Sequence, residues 1–205
     1  TEAVFSLRAD ELTKQQYPFD FELQIVYRAQ GASLTTLYRV LNRGSEPMPY
    51  AIGGHPAFNV PLDEGERFED YVLEFEKEET ASCPAIDMNE SLIDPSRMTE
   101  RLHAARTIPL THDLFYGDAL VFEGLASHTA TVRSEKSGHG VTMEFSSFPM
   151  IGVWSARNDG PFVALEPWCG CATRTDENDE FAEKRWMRTL PAGQMEEFSY
   201  TVSIF

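Results

Sequence analysis

The sequence predicts an all-β fold, a large antiparallel β-sandwich, and three observations carry that reading. Apolar and polar residues alternate with a period of two in segment after segment, the pattern of strands with one buried face. These short runs are punctuated by 13 Gly and 12 Pro, as sandwiches and barrels require. Aromatic residues make up 12% of the chain, 14 of them Phe, and bulky rings suit a pleated, half-buried surface.

The elements follow in order. The chain starts at Thr1 without an initiator Met and enters a strand-like pattern at once, so an upstream segment is expected, and any signal peptide would lie there. Phe19, Phe21, Leu23, Ile25 and Tyr27 then alternate with Asp20, Glu22 and Gln24. A break at Gln30-Gly31-Ala32 leads into Ser33–Asn42, and the two runs read as a hairpin. Tyr71, Leu73 and Phe75 alternate with Val72, Glu74 and Glu76 in a third strand. Ala119–Phe122 and Ala130–Ser134 come next, and the polar turn Glu135–Gly140 joins the latter to Val141–Phe145. Ile151–Ser155, Phe162–Leu165 and Phe198–Phe205 complete the set. Helical signal is confined to the spacing of Met98, Leu102 and Ala105, and to one or two turns over Asp176–Arg185 after an Asp cap. There is no repeat and no linker-like shift of composition, so residues 1–205 are read as a single domain.

Composition narrows the function. Hydrophobic residues at 42% and charged residues at 24% are those of an ordinary globular domain. The net charge of −16 repels phosphate backbones and anionic lipid, so nucleic acid and membrane surfaces are poor partners. Cys83, Cys169 and Cys171 form no disulfide framework and no four-ligand metal pattern, which points to reduced thiols in a cytoplasmic protein. No apolar run is long enough for a membrane span.

Two segments carry chemistry. In Gly53-Gly54-His55-Pro56-Ala57-Phe58-Asn59 the glycines permit close backbone approach or positive φ, and Pro56 holds His55 extended. His55 is then either an acid–base group or a loop imidazole bonded to backbone. In Phe162-Val163-Ala164-Leu165-Glu166-Pro167-Trp168 an apolar run delivers a carboxylate against an indole. Lost hydration would raise the pKa of Glu166 toward that of a useful base. The other reading has Glu166 facing solvent or paired with Arg157 or Arg174.

Gly53–Asn59 and Leu165-Glu166-Pro167-Trp168-Cys169-Gly170 resemble the paired signatures of the aldose 1-epimerase (galactose mutarotase-like) family, and within it the bacterial branch associated with lactose operons. Tyr17-Pro18-Phe19, Leu114–Leu120 and Leu190-Pro191-Ala192-Gly193 extend the resemblance along almost the whole chain. The resemblance implies a β-supersandwich with a carbohydrate cleft, interconversion of the α and β anomers of a sugar, and no metal or organic cofactor. It implies His55 as the acid toward the ring oxygen and Glu166 as the base toward the anomeric hydroxyl. Asp118 matches a sugar-binding carboxylate, and Trp154 is the aromatic candidate for contact with the substrate. The chain departs from the family pattern in three ways. It begins after an N-terminal part that supplies a further His and an Arg. Gly152 stands near where a glutamine is expected, and Cys169 and Cys171 flank the Trp-x-Gly segment. Two other readings compete. A hexose 6-phosphate substrate would call on Arg157, Arg174, Arg185 and Arg188, and a carbohydrate-binding module would keep the fold without turnover.

Overall fold

The computed structural model describes residues 1–178 and 180–205. Strands β1 (Glu2–Arg8), β2 (Phe21–Gln30) and β3 (Ser33–Asn42) form an antiparallel meander. Gly31 turns the β2–β3 hairpin at φ 59°, a conformation that glycine adopts without strain. The short strands β4 (Met48–Tyr50), β5 (Ile52–Gly53) and β6 (Ala57–Asn59) follow. A long hairpin comes next, β7 (Tyr71–Asp87) with β8 (Leu92–Pro109). Then come β9 (Leu120–Glu123), β10 (Thr129–Ser134), β11 (Gly140–Glu144), β12 (Met150–Trp154) and β13 (Phe162–Cys169). The last two are β14 (Arg188–Leu190) and β15 (Met195–Ile204).

An eight-stranded sheet runs β1-β2-β3-β15-β11-β10-β7-β8, and a five-stranded sheet runs β5-β13-β12-β9 with β6 also on β13. β14 and β4 pair separately. The two large sheets stack face to face, with Phe75 of β7 edge-on to Phe122 of β9 at 5.3 Å between ring centroids. Val40, Leu73 and Met143 from the larger sheet share one core with Ile151, Val153 and Leu165 from the smaller. Each such side chain contributes roughly 1.5–3 kcal/mol by leaving water.

Alternation gives the smaller sheet a second face. Val163, Leu165 and Cys169 of β13 point into the core, so Ala164, Glu166 and Trp168 point away from it. The same parity puts Met150, Gly152 and Trp154 of β12 and Val121 of β9 on the outer side. There Val121, Met150, Trp154 and Trp168 form a smaller apolar cluster of their own.

The sequence reading fails at β8. Met98, Leu102 and Ala105 lie on a strand, not a helix. Its pairing with β7 shifts register at four places, and each shift changes which residues face inward. Met98 is exposed while Leu102 is buried, so their helical spacing does not mark one buried face. In Asp176–Arg185 the regular structure is a single 3-10 turn, Phe181–Glu183, and residue 179 of that stretch lies outside the described residues. The strand-like start of the chain is β1, although all its residues are exposed. Among the described residues no helix is long and apolar enough to cross a membrane.

Candidate active site

β13 is flanked by β12 on one side and by β5 and β6 on the other. The turn between β5 and β6 carries His55, and two backbone hydrogen bonds fix it against β13. Gly54 N donates to Pro167 O at 3.0 Å, and Leu165 N donates to Pro56 O at 3.1 Å. These bonds straddle Glu166 and set His55 opposite it. His55 Nε2 lies 3.5 Å from Glu166 Oε1, a contact longer than a typical direct hydrogen bond. Of the two uses expected of the glycine pair, the structure adopts close approach. A Cβ on Gly53 would sit 2.9 Å from Pro167 O, and one on Gly54 would sit 2.7 Å from the Tyr200 ring.

The two side chains differ sharply in hydration. That of Glu166 is 6% exposed and that of His55 is 59% exposed. Burial is the largest influence on the Glu166 carboxyl and raises its pKa above the ordinary value. The negative charge of Asp118 adds to the rise, while His55 and the Trp168 side chain oppose it. The alternative ion pairs are not formed, since Arg174 is engaged by Asp176 at 2.8 Å and Glu166 meets His55.

Trp154 stands edge-on to His55, with 5.6 Å between ring centroids and planes at 89°. Phe162 packs against Trp154 at 5.4 Å. Gly152, paired with Glu166 across the strands, carries no side chain because Trp168 lies over it. A Cβ there would be 2.7 Å from the indole Cζ2. The departure from an expected glutamine thus has a steric cause. A cleft of about 430 Å³ opens beside His55, Glu166, Trp168 and Cys171. Asp118 enters β9 with φ 80°, and its Oδ1 accepts a hydrogen bond from Ala119 N at 2.7 Å.

The two cysteines of the motif do not act together. Cys169 belongs to the core and Cys171 to the outer cluster, with Gly170 at φ 104° turning the chain between them. Burial pushes each thiol up to about 11, so both are neutral at ordinary pH. Three of the four arginines considered for a phosphate are occupied, Arg174 by Asp176, Arg185 by Glu123 and Arg188 by Glu196. The apolar platform of Met150 and Val121 went unread in the sequence. Parity with Trp154 on β12, and with Trp168 across the sheet, was the signal that could have found it.

Comparison with known proteins places the family and the fold over almost the whole chain. The aldose 1-epimerase family model matches residues 1–203. The plasmid and chromosomal forms of Protein LacX from Lactococcus lactis subsp. lactis are 38% identical over 201 residues, 98% of this chain and 67% of theirs. A galactose mutarotase related enzyme from Lactobacillus acidophilus superimposes with a TM-score of 0.91 at 27% identity, covering 100% of this chain and 68% of that one. A galactose mutarotase-like protein from Lactobacillus casei does so with a TM-score of 0.88 at 28% identity, covering 100% and 70%. The chain belongs to the aldose 1-epimerase family and is, by that membership, an isomerase of the mutarotase type.

Proposed function

We propose that the chain interconverts the α and β anomers of an aldose, with Glu166 as base and His55 as acid. The observation that carries this reading is their 3.5 Å approach in an open cleft, one group buried and the other accessible. A hemiacetal carbon bears both oxygens that must exchange protons, so acid and base have to stand side by side. Glu166 takes the proton of the anomeric hydroxyl and the C1–O1 bond becomes a carbonyl. The C1–O5 bond breaks, and O5 takes a proton from His55. Rotation about C1–C2 presents the other face of the aldehyde, and reversal of the steps closes the ring. Both groups return to their starting states, and the raised pKa of Glu166 keeps it basic enough to act near neutral pH.

Asp118 and Trp154 supply a hydrogen-bonding carboxylate and a flat apolar surface for the pyranose. Engagement of Arg174, Arg185 and Arg188 by carboxylates favours an uncharged hexose over a hexose 6-phosphate. The core shared by both sheets supports reading residues 1–205 as one unit. The test is polarimetry of freshly dissolved α-D-glucose and α-D-galactose with the full-length protein. Acceleration of the drift to equilibrium is expected. Sugar binding without acceleration would mean a carbohydrate-binding module instead.

A further inference from the structure

We infer that Tyr116 and Asp159 form a clasp at one end of the smaller sheet, beside the His55–Glu166 pair, that sets Asp118 against the sugar, which makes them positioning residues for substrate binding. The inference rests on the reading of the cleft given above. Two loops meet at that end of the smaller sheet, because Leu120 at the start of β9 pairs with Val153 near the end of β12. One loop brings in Asp118, and the other, residues 155–161, joins β12 to β13. Each contains a non-glycine residue in the left-handed region, Asp118 at φ 80° and Asp159 at φ 59°. Asp adopts that conformation more readily than most L-residues, and both loops use it to turn sharply.

Their surroundings are visible in the hydrogen bonds. Asp118 N donates to Phe115 O at 3.0 Å, and Gly160 N donates to Ala156 O at 3.2 Å, so each loop is closed on itself. Tyr116 OH donates to Asp159 Oδ1 at 2.9 Å and joins one loop to the other. Behind Asp159, Gly160 lies against the Phe162 ring, where a Cβ would come within 2.8 Å. Phe162 packs on Trp154, and Trp154 on His55. The clasp therefore ties the loop bearing Asp118 to the loop behind the Phe162–Trp154–His55 ring stack. Asp118 Oδ1 is occupied by Ala119 N, which leaves Oδ2 for a sugar hydroxyl.

Tyr116→Phe and Asp159→Ala each delete the link, while Asp159→Asn keeps an acceptor oxygen for the phenol. The experiment measures galactose affinity by tryptophan fluorescence, together with KM and kcat by polarimetry, on the full-length protein. Deleting the link is expected to weaken binding and raise KM about three- to tenfold, with kcat changed less than about twofold, the scale of one lost hydrogen bond. Asp159→Asn restores both to near wild-type values. Unchanged affinity in Tyr116→Phe overturns the clasp, as does loss in Asp159→Asn equal to that in Asp159→Ala. Failure of the acid–base reading shows elsewhere, as turnover that survives Glu166→Gln, and leaves the affinity comparison standing.

Discussion

Among the described residues three histidines lie close to carboxylates, and two of these pairs, one at the cleft and one remote from it, behave in opposite ways. His139 Nδ1 and Asp63 Oδ2 lie 2.8 Å apart, closer than the 3.5 Å between His55 and Glu166. Asp63 is 37% exposed and its partner 60% exposed, and hydrogen bonds from Ser137 and His139 hold its carboxyl below the usual range. Glu166 is nearly dry and is held above that range. Distance alone would single out the wrong pair. Burial separates them, because it disfavours the charged form of a carboxylate and leaves it ready to take a proton.

The largest effect that tests this contrast is on turnover. Glu166→Gln is expected to slow anomerisation by about 10²–10⁴, with strand-type circular dichroism intact, and His55→Asn to fall in the same range. Asp63→Asn should leave the rate within about twofold of wild type, since exposed pairs of this kind contribute little. Equal losses at Asp63 and Glu166 by polarimetry would erase the distinction.

The pH profile sharpens it. Glu166 must be ionised to act as base, so kcat/KM is lost as pH falls through its folded pKa, which lies above 4.5. The groups that set that value are burial and Asp118, which raise it, and His55 and Trp168, which lower it. An acid limb at or below the ordinary carboxylate value would contradict the assignment of base. Gly152→Ala offers a way to shift the limb. Its methyl group would displace the Trp168 ring at an expected cost of about 1–3 kcal/mol in denaturant unfolding. Water admitted beside Glu166 should move the acid limb downward, toward the behaviour of Asp63.

Much of this was legible in the sequence, for reasons that differ from place to place. Ser33–Asn42 emerged with its observed bounds because one face of β3 is buried and Gly31 marks the turn. Glu166 was legible because a buried strand delivers it. β8 was not, since register shifts hide its alternation, and β5 and β6 are too short to show any. The approach of His55 to Glu166 depends on two backbone hydrogen bonds between segments distant in sequence. No local pattern encodes those, and only the resemblance of the paired motifs anticipated them. The Asp63–His139 pair and the Tyr116–Asp159 link are also long-range contacts, and neither left a trace in spacing.

The smallest effects are on stability, and there the two pairs should have opposite slopes. A raised folded pKa means that native Glu166 binds its proton more tightly than unfolded Glu166 does. Its relative contribution is therefore best below the unfolded value and is lost as pH rises through the folded one. Glu166→Gln removes this loss, so its melting temperature should exceed that of wild type increasingly as pH rises from 4.5 through the folded pKa, by about 2–4 °C for each kcal/mol relieved. Asp63 has a lowered folded pKa. Its contribution is present above the unfolded value of 3.8 and disappears as pH falls through the folded one. Asp63→Asn should thus melt slightly below wild type at pH 7, by less than about 2 °C given its exposure, and match it in acid. Calorimetric scans of both variants against pH decide the matter. Parallel curves would mean that burial does not distinguish the pairs, whereas curves that diverge with pH in opposite directions would show that the protein gives up stability at Glu166 to hold a base.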